Sequence, residues 1–361
     1  MNKFSDDPAL RQLEKIDIVR RQPARLKDSQ VTLSHGSGGK ATHNLVEALF
    51  AANFSNPLLD SLDDGAIFPV EASKLAMTTD SYVVSPLFFP GGNIGELAVN
   101  GTVNDLAMCG AKPLHLSVGF ILEEGFPMDD LKRIVESMAR AAKAAGVTII
   151  TGDTKVVNKG KADKVFINTA GVGIMHANVN VAATNAKPGD KVIVSGAIGD
   201  HGITILAERG ELELEADFQS DSAALNGLVA AMLDVTTEIH CLKDPTRGGV
   251  ATSLNEIAKA SNVTIAVKEN TVPVRAETRG ACEILGLDPL YIANEGKLLA
   301  VVPAEFADAV VTAMRQHPHG QEACIIGEVW AEPQGLVFLQ TEIGGNRVVD
   351  MLVGDPLPRI C

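Results

Sequence analysis

The alternation of apolar and polar positions in the first half of the chain predicts strands and helices that follow one another closely. Ser73–Thr79 and Leu114–Glu123 alternate as strands do. Apolar residues between positions 129 and 145 recur at helical spacing, and Gly146 ends that helix. The apolar run Val147–Thr151 predicts a buried strand directly after it. This half is therefore predicted to mix β and α elements.

The same kind of pattern continues in the second half, beyond a turn at Asn185–Asp190. Helices are predicted near Asp221–Leu233, Gly249–Ala260 and Ala304–Gln316, and strands near Val263–Val267, Leu298–Val302, Ile325–Val329 and Leu336–Gln340. We expect an α/β fold with mixed sheets and two domains. The expected division is an N-terminal arm at 1–30, a first domain at 31–184, a second domain at 185–345 and a flexible tail at 346–361.

Size and composition agree with two α/β domains. The chain has 361 residues, more than the roughly 250 to 300 at which single cores stop growing. Its formal net charge of −14 excludes a general nucleic-acid or anionic-membrane surface, because both need a concentrated cationic face. The N-terminus lacks the apolar core of a signal peptide, and no apolar run approaches the ~18 residues of a membrane span. We expect a cytoplasmic protein with neither nucleic acid nor membrane as partner.

The cysteines single out the end of the chain. There are five of them, an odd number without a C-x-x-C pair, which does not favour a disulfide framework or a zinc site. Four lie in apolar or helical stretches typical of buried, inert thiols. Cys361 is the last residue, and Pro356 and Pro358 keep the tail before it extended. It is either a frayed end or a thiol that moves between sites, with an ordinary pKa near about 8.5.

Two glycine-rich segments are candidates for binding anions. The first, SHGSGGK at positions 34–40, can bring backbone N–H groups close to phosphate, or can be a plain flexible turn. Its spacing is not that of a Walker A loop. The second, DPTRGG at 244–249, leads into a helix and adds an arginine to the free N–H groups, which a simple capping turn would not need. GDHG at 199–202 is similar but weaker.

Three aspartates suggest a metal site. Asp80 and Asp153 follow predicted strands, and Asp105 lies on the helix face that also carries Leu97 and Met108. An inward carboxylate is costly unless it is paired or bound to metal, and Mg²⁺ prefers such hard oxygen ligands. Asn104 adds another oxygen. The alternative is a set of helix caps and turn aspartates.

Two further ionisable residues lie in segments next to predicted buried strands. Lys155 comes two residues after Asp153, and Glu295 lies in the segment ANEGK. Either is a surface charge or a group that works as acid or base in a reaction.

Seven motifs carry a resemblance to a known family. They are SHGSGGK, TTDSYVVSPLFFPGGNIG, VND, ITGDTKVV, DPTRGGV, ANEGK and the terminal PRIC. The chain from Val31 to Cys361 closely resembles the HypE family of hydrogenase-maturation carbamoyl dehydratases. The wider superfamily includes aminoimidazole ribonucleotide synthetase and selenophosphate synthetase. The N-terminal arm lies outside the resemblance.

The resemblance implies a fold, cofactors and a site. The fold is that of aminoimidazole ribonucleotide synthetase, dimerised through the N-terminal halves. Mg²⁺ is held against the phosphates of ATP by Asp80, Asp105 and Asp153. The implied nucleotide-binding residues are His35, Gly36, Gly38, Gly39, Lys40, Asn104, Thr154, Asp244, Arg247 and Gly248.

The resemblance also implies a reaction and partners. A carbamoyltransferase of the HypF type loads a carbamoyl group onto Cys361, and the enzyme converts it with ATP to a thiocyanate, with Lys155 and Glu295 as catalytic residues. The cyanide passes to an iron-carrying scaffold complex of the HypC–HypD type for the [NiFe] hydrogenase.

Two alternatives stay open from the sequence. One is another ATP-dependent synthetase of the superfamily, forming selenophosphate or an amidine. Such enzymes lack a terminal carrier cysteine, and the selenophosphate synthetases carry a reactive Cys or Sec in the glycine loop, which has none here. The other is a non-enzymatic nucleotide-binding scaffold, which would not need Lys155 or Glu295.

Overall fold

The structure is a computed structural model that describes residues 38–51, 63–64, 66–70, 73–210, 217–354 and 357–361. Its two halves each contain one large β-sheet, and the sheets are separated in sequence by the turn that follows residue 185.

The first sheet has five strands: β1 (Ala66–Val70), β2 (Ser73–Tyr82), β5 (Ala111–Glu123), β6 (Thr148–Val157) and β7 (Val165–Met175). Their spatial order is β1-β2-β7-β5-β6, and all pairs are antiparallel except β5 and β6. A small ribbon pairs β3 (Phe88–Phe89) with β4 (Gly92–Asn93). The helices of this half are α1 (Lys40–Leu45, continued by a π-helical segment Val46–Ala51), α2 (Ile94–Met108) and α3 (Met128–Ala145).

The second sheet has seven strands: β8 (Lys191–Val194), β9 (Cys241–Lys243), β10 (Thr264–Lys268), β11 (Leu299–Val302), β12 (Cys324–Trp330), β13 (Leu336–Gln340) and β14 (Asn346–Val348). Their order is β14-β13-β10-β12-β8-β11-β9, and only β10 and β13 pair in parallel. The helices are α4 (Asp200–Glu208), α5 (Asn226–Leu233), α6 (Gly249–Ser261), α7 (Ala276–Leu285) and α8 (Ala304–Arg315). Short 3-10 turns lie at Ala183–Asn185, Glu269–Thr271, Pro289–Tyr291 and Pro318–Gly320.

Helix α2 is the central element of the molecule. The Asn93 side chain caps it by accepting hydrogen bonds from the N–H groups of Gly95 and Glu96. Its residues are buried almost throughout, because one side packs on β2 and β7 and the other contacts α3 and the second half of the chain. Since burial fixes α2 against β2, it also fixes the distance between Asp105 and the end of β2.

Most predicted elements are confirmed, including the mixed α/β class. Helix α3 ends at Gly146 in the left-handed conformation, with φ of 72°. Helix α5 begins at Asn226, five residues later than predicted. Among the described helices, none has the length and hydropathy of a membrane span.

One strand differs from its prediction. The apolar run at 147–151 was expected to be a buried strand, but β6 extends to Val157 and is exposed along nearly its whole length. The reason is its place at the edge of the sheet, where no element of the described residues covers its outer face.

Candidate active site

The C-terminal tail is seated against the segment that follows β2. The N–H of Val83 donates to a terminal carboxylate oxygen of Cys361 at 3.0 Å, and the N–H of Ser85 donates to the carbonyl of Arg359 at 3.2 Å. The Arg359 side chain donates back to the Val83 carbonyl at 2.9 Å and pairs with Asp163. These contacts hold the last three residues on the first half of the molecule, in a position that we call the seat of the tail.

The tail is not the extended tether that its prolines predict. Pro358 and Arg359 form a turn, and Arg359 takes a left-handed φ of 54°. Leu357, Ile360 and Cys361 are then buried in one apolar cluster with β2 and α2 residues. Burial of these side chains, rather than proline stiffness, determines the tail conformation.

Burial changes the chemistry of the terminal thiol. Only 6% of Cys361 is exposed. Burial raises the pKa of its thiol far above the ordinary value, and the Arg247 guanidinium offsets this only in part. The expectation of an ordinary thiol pKa is therefore wrong for the seated tail. The seated sulfur is a protonated thiol at neutral pH.

Glu295 shares the electrostatic environment of this thiol. It is 3% exposed, and its Oε1 has no hydrogen-bond partner among the described residues. Its backbone N–H donates to Asp221 at 2.9 Å, and a Cβ on Gly296 would lie 1.7 Å from the Asp221 carbonyl oxygen. The segment is therefore fixed, and only glycine fits at 296. Burial, and then the charge of Asp244, raise the pKa of Glu295 well above its usual value.

Carboxylates from both halves gather next to this pair. Asp105 accepts a hydrogen bond from Thr78 at 2.8 Å, and burial followed by repulsion from Asp244 and Asp80 raises its pKa well above the usual value. Burial and repulsion from Asp64 raise the pKa of Asp244 to about 7. Like charges held together in a buried place favour the protonated forms, and a bound cation would relieve the repulsion.

The end of the first glycine loop lies against the second anion-binding segment. A Cβ on Gly38, which has φ of 75°, would lie 2.7 Å from the Arg247 carbonyl oxygen. A Cβ on Gly39 would lie 2.3 Å from the carbonyl oxygen of Leu352, which also accepts the N–H of Lys40 at 2.8 Å. Glycine is thus required for this approach.

The second anion-binding segment opens α6 as predicted. Gly248 and Gly249 have φ of 79° and 60°, and a Cβ on Gly248 would collide with Thr252 at 2.2 Å. The guanidinium of Arg247 lies 4.0 Å from Asp80. The arginine therefore connects the second half with the acidic end of β2.

Comparison with known proteins identifies the family. Residues 62–175 match the AIR synthase related protein, N-terminal domain, and residues 187–340 match the C-terminal domain. Carbamoyl dehydratase HypE of Azotobacter vinelandii is 56% identical over 336 residues, 93% of this chain and 98% of that protein. The chain belongs to the HypE family of carbamoyl dehydratases.

Solved HypE structures have the same fold. Hydrogenase maturation protein HypE in complex with ATP matches with a TM-score of 0.78 at 51% identity, covering 92% of this chain and 100% of that one. The chain in the crystal structure of a HypE–HypF complex matches with a TM-score of 0.82 at 49% identity, covering 85% and 99%. The family and fold expected from the sequence motifs are confirmed.

The structure groups most of the residues that the HypE motifs singled out. Asp80, Asp105, Asp244, Arg247 and Glu295 act on one another or on Cys361. Gly38, Gly39, Lys40 and Gly248 lie beside them. His35 and Gly36 lie outside the described residues.

The Asn104 side chain makes hydrogen bonds between the two halves of the chain. Its amide oxygen accepts the N–H of Leu225 at 2.7 Å, and its amide nitrogen donates to the carbonyl of Ala223 at 3.0 Å. Both ends of the amide are therefore used to join α2 to the segment before α5. The residue therefore connects the two halves, and its expected contact with nucleotide stays a prediction.

Strand β6 does not bring its predicted residues to this site within one chain. Asp153, Thr154 and Lys155 are exposed, and within the described ranges the ion pair of Lys155 is with Asp153. Two strands separate β6 from β2, so Asp153 and Asp80 are about 14 Å apart across the sheet. The register also places Asp153 level with Ser81, on the opposite face from Asp80.

Sequence reasoning missed several residues of the site. Asp64 accepts from Lys243 at 2.6 Å, and Lys243 also lies 3.0 Å from Glu256. Burial alone would lower the pKa of Lys243, but these two carboxylates outweigh it and raise the pKa. The doubled aspartate at 63–64 was a usable signal for Asp64, whereas nothing in the sequence singled out Lys243.

Proposed function

We propose that this chain dehydrates a carbamoyl group carried on Cys361 to a thiocyanate, with ATP as the second substrate. The observation that carries the proposal is the buried Cys361 sulfur, held where the Glu295 carboxyl and the Arg247 guanidinium both influence its pKa. Family membership supports the same reaction.

The residues of the chain have defined tasks in this reaction. ATP, when bound, supplies the phosphoryl group that lets the carbamoyl oxygen leave as phosphate. Glu295 accepts a proton from the carbamoyl nitrogen, since its Oε1 is buried and unpaired among the described residues. Its raised pKa makes the ionised form a strong base. Arg247 favours that ionised form and neutralises charge that develops beside the sulfur.

The acidic residues are suited to hold Mg²⁺ together with nucleotide phosphates. Among the described residues no three His, Cys, Asp or Glu side chains are arranged to hold an ion by themselves. Mg²⁺ commonly uses one or two carboxylates and takes its other ligands from phosphate and water. Asp80 and Asp105 would supply the carboxylates, and repulsion within the group gives the reason for the ion to bind. It would screen the charge on the departing phosphate.

A homodimer explains the position of β6. The outer face of the first sheet exposes apolar side chains, among them Met77 at 50% and Ile121 at 45%. Lys155 pairs in register with Ile121 on this face. A second copy packed here would cover the apolar side chains and bring its own Asp153 and Lys155 towards the rim where the tail is seated. We therefore assign these two residues to the site of the partner chain.

The proposal includes two protein partners. A HypF-type carbamoyltransferase would load Cys361, in agreement with the solved HypE–HypF complex of a relative. An iron-carrying scaffold complex of the HypC–HypD type would receive the cyanide, a step that rests on the family resemblance. All five cysteines are free, which agrees with a reducing, cytoplasmic location.

Intact-protein mass spectrometry tests the proposed reaction. The purified chain is incubated with a HypF-type transferase, carbamoyl phosphate and ATP. We expect the mass of one carbamoyl group to be gained and the mass of one water to be lost, both on the peptide that contains Cys361. The matched control is Cys361→Ala, which keeps the rest of the tail. A Cys361→Ala protein that gains the carbamoyl mass and then loses water would overturn the proposal.

A further inference from the structure

A buried histidine contacts the tail one residue before the terminal cysteine. His201 lies in the first turn of α4 and is fully buried. Its Nε2 lies 2.8 Å from the carbonyl oxygen of Ile360, and its Nδ1 lies 2.8 Å from the hydroxyl of Ser220. The ring of Phe89 packs edge-on against it at 5.6 Å. The imidazole therefore has one fixed place between two polar partners.

The partners determine the protonation of the ring. A carbonyl oxygen only accepts, so Nε2 carries the hydrogen. Burial favours the neutral imidazole, so Nδ1 accepts from the Ser220 hydroxyl. That hydroxyl oxygen accepts in turn from the N–H of Ser222 at 3.2 Å. The donors thus run in one direction, from Ser222 through Ser220 and His201 to the tail.

Neighbouring residues complete this contact with the tail. A Cβ on Gly202 would lie 2.5 Å from Ile292 and 3.3 Å from Leu357, so α4 approaches the tail closely here. Arg209, at the other end of α4, donates to the carbonyl of Arg359 at 2.7 Å. Helix α4 therefore holds two successive carbonyls, whereas the N–H of Val83 holds the terminal carboxylate.

We propose that His201 is the positioning residue that sets the sulfur of Cys361 beside Glu295 and Arg247. The carbonyl of Ile360 belongs to the peptide unit that carries the Cα of Cys361. The hydrogen bond from His201 therefore fixes the rotation of that peptide plane and the direction of the side chain. The proposal rests on the carrier function of Cys361, but the seating of the tail can be measured without it.

Two substitutions separate the hydrogen bond from the shape of the ring. His201→Phe keeps a planar ring but removes the donor, and leaves the Ile360 carbonyl and the Ser220 hydroxyl without this partner. His201→Gln keeps a nitrogen donor near the position of Nε2 and an oxygen acceptor. We expect Phe to release the tail and Gln to retain most of the seating.

The first measurement is the alkylation rate of Cys361 by iodoacetamide in the full-length protein without ATP or carbamoyl donor. Buried, protonated sulfur reacts slowly, so the rate reports how often the tail leaves its seat. His201→Phe is expected to raise the rate about tenfold, the effect of one lost hydrogen bond with unsatisfied partners. His201→Gln should stay within about threefold of wild type. Peptide mapping with the half-buried Cys324 serves as the internal reference.

A second measurement separates tail seating from general stability. His201→Phe and wild type are compared in the full chain and in chains shortened by residues 357–361. The proposal predicts a larger loss of thermal stability from the substitution when the tail is present. Equal losses in both backgrounds, or an unchanged alkylation rate in His201→Phe, would overturn it.

The last measurement addresses positioning during the reaction. Protein already carbamoylated on Cys361 is mixed with ATP, and the single-turnover loss of water is followed at several ATP concentrations. We expect His201→Phe to lower the maximal rate about tenfold without changing the half-saturating ATP concentration. Faster alkylation with a normal dehydration rate would refute the positioning function. Dehydration in Cys361→Ala would instead refute the carrier function and leave the alkylation result standing.

Discussion

The seat of the tail and the outer face of β6 both carry acidic and basic residues of the HypE motifs. In the structure of one chain, however, only the residues at the seat are buried against one another. At the seat, Glu295 and Cys361 are buried, and burial raises the pKa of both groups. On β6, Asp153 and Lys155 are exposed and pair with each other. Folding of one chain is therefore enough to bury the residues at the seat of the tail. We propose that the residues on β6 become part of a site only when two chains dimerise.

The difference lies in what surrounds each pair. The seat is made where α2, α4 and the segment before α6 meet β2, so desolvation is complete without a second copy. The outer face of β6 has no covering element in the described structure. An edge strand with exposed apolar residues needs a partner surface.

The largest effect is expected at the seat. Glu295→Gln keeps the shape of the side chain but removes its ability to accept a proton. The single-turnover loss of water from carbamoylated Cys361 should slow by about 10²- to 10⁴-fold, the usual contribution of a general base. Alkylation of Cys361 and ATP binding should stay close to wild type. A normal dehydration rate would remove Glu295 from the mechanism.

The next effect tests whether Lys155 acts across the dimer. Lys155→Ala is expected to lower dehydration about a hundredfold by itself. Mixing it with Glu295→Gln should restore activity to about a quarter of wild type, because half of randomly mixed dimers are hybrids with one intact site in two. An affinity tag on one of the two variants, with quantification of the untagged chain that is retained with it, measures subunit exchange. No recovery, with exchange shown to occur, would place Lys155 in its own chain's site.

A charge introduced on the outer face of the first sheet tests whether this face forms the dimer interface. Ile121→Glu puts two carboxylates into a two-fold symmetric apolar interface, one from each chain. We expect the dissociation constant to rise about a hundredfold, since each buried charge costs at least about 1.4 kcal/mol. Sedimentation velocity at several concentrations measures it. Ile284→Glu, at another exposed apolar position on α7, is the control, and an equal effect of both would reject this face.

The smallest effect is on stability and its dependence on pH. The pKa of Asp244 is raised to about 7 by burial and by Asp64, so between about pH 4 and 7 the folded protein holds a proton that the unfolded chain has lost. The free energy of unfolding of wild type therefore falls as pH rises through this window. Asp244→Asn lacks this loss, so its free energy of unfolding relative to wild type should increase by about 3 kcal/mol between pH 4.5 and 8.

Urea unfolding without nucleotide or Mg²⁺ at both pH values measures this difference. Asp234→Asn, outside the acidic group on the C-terminal side of α5, is the matched control. A difference between Asp244→Asn and wild type that stays constant from pH 4.5 to 8 would contradict the raised pKa.

Sequence patterns predicted the elements of the fold well, because period and glycine position are local properties. The helical spacing at 129–145 and the stop at Gly146 correspond to α3, and the DPTRGG segment opens α6. The exposure of β6 was not predictable from its apolar run, since a strand covered by a second copy and one covered by its own chain have the same composition.

The sequence predicted those site residues whose side chains are unusual for the helix face or turn that carries them. Asp105 on an apolar helix face and Arg247 in a glycine turn are of this kind. Asn104 and His201 are not, because both are polar residues whose partners, at 223–225 and at Ile360, lie far away in sequence. Such pairings depend on tertiary contacts that no local pattern records.

The contacts that hold Cys361 matter for a carrier residue whose sulfur is chemically modified during the reaction. The hydrogen bonds that hold it are made to its own carboxylate and to the carbonyl of Ile360, and both groups belong to the main chain. These hydrogen bonds therefore do not involve the sulfur or the group that it carries. The same main-chain contacts are therefore available to the thiol, carbamoyl and thiocyanate forms of the tail.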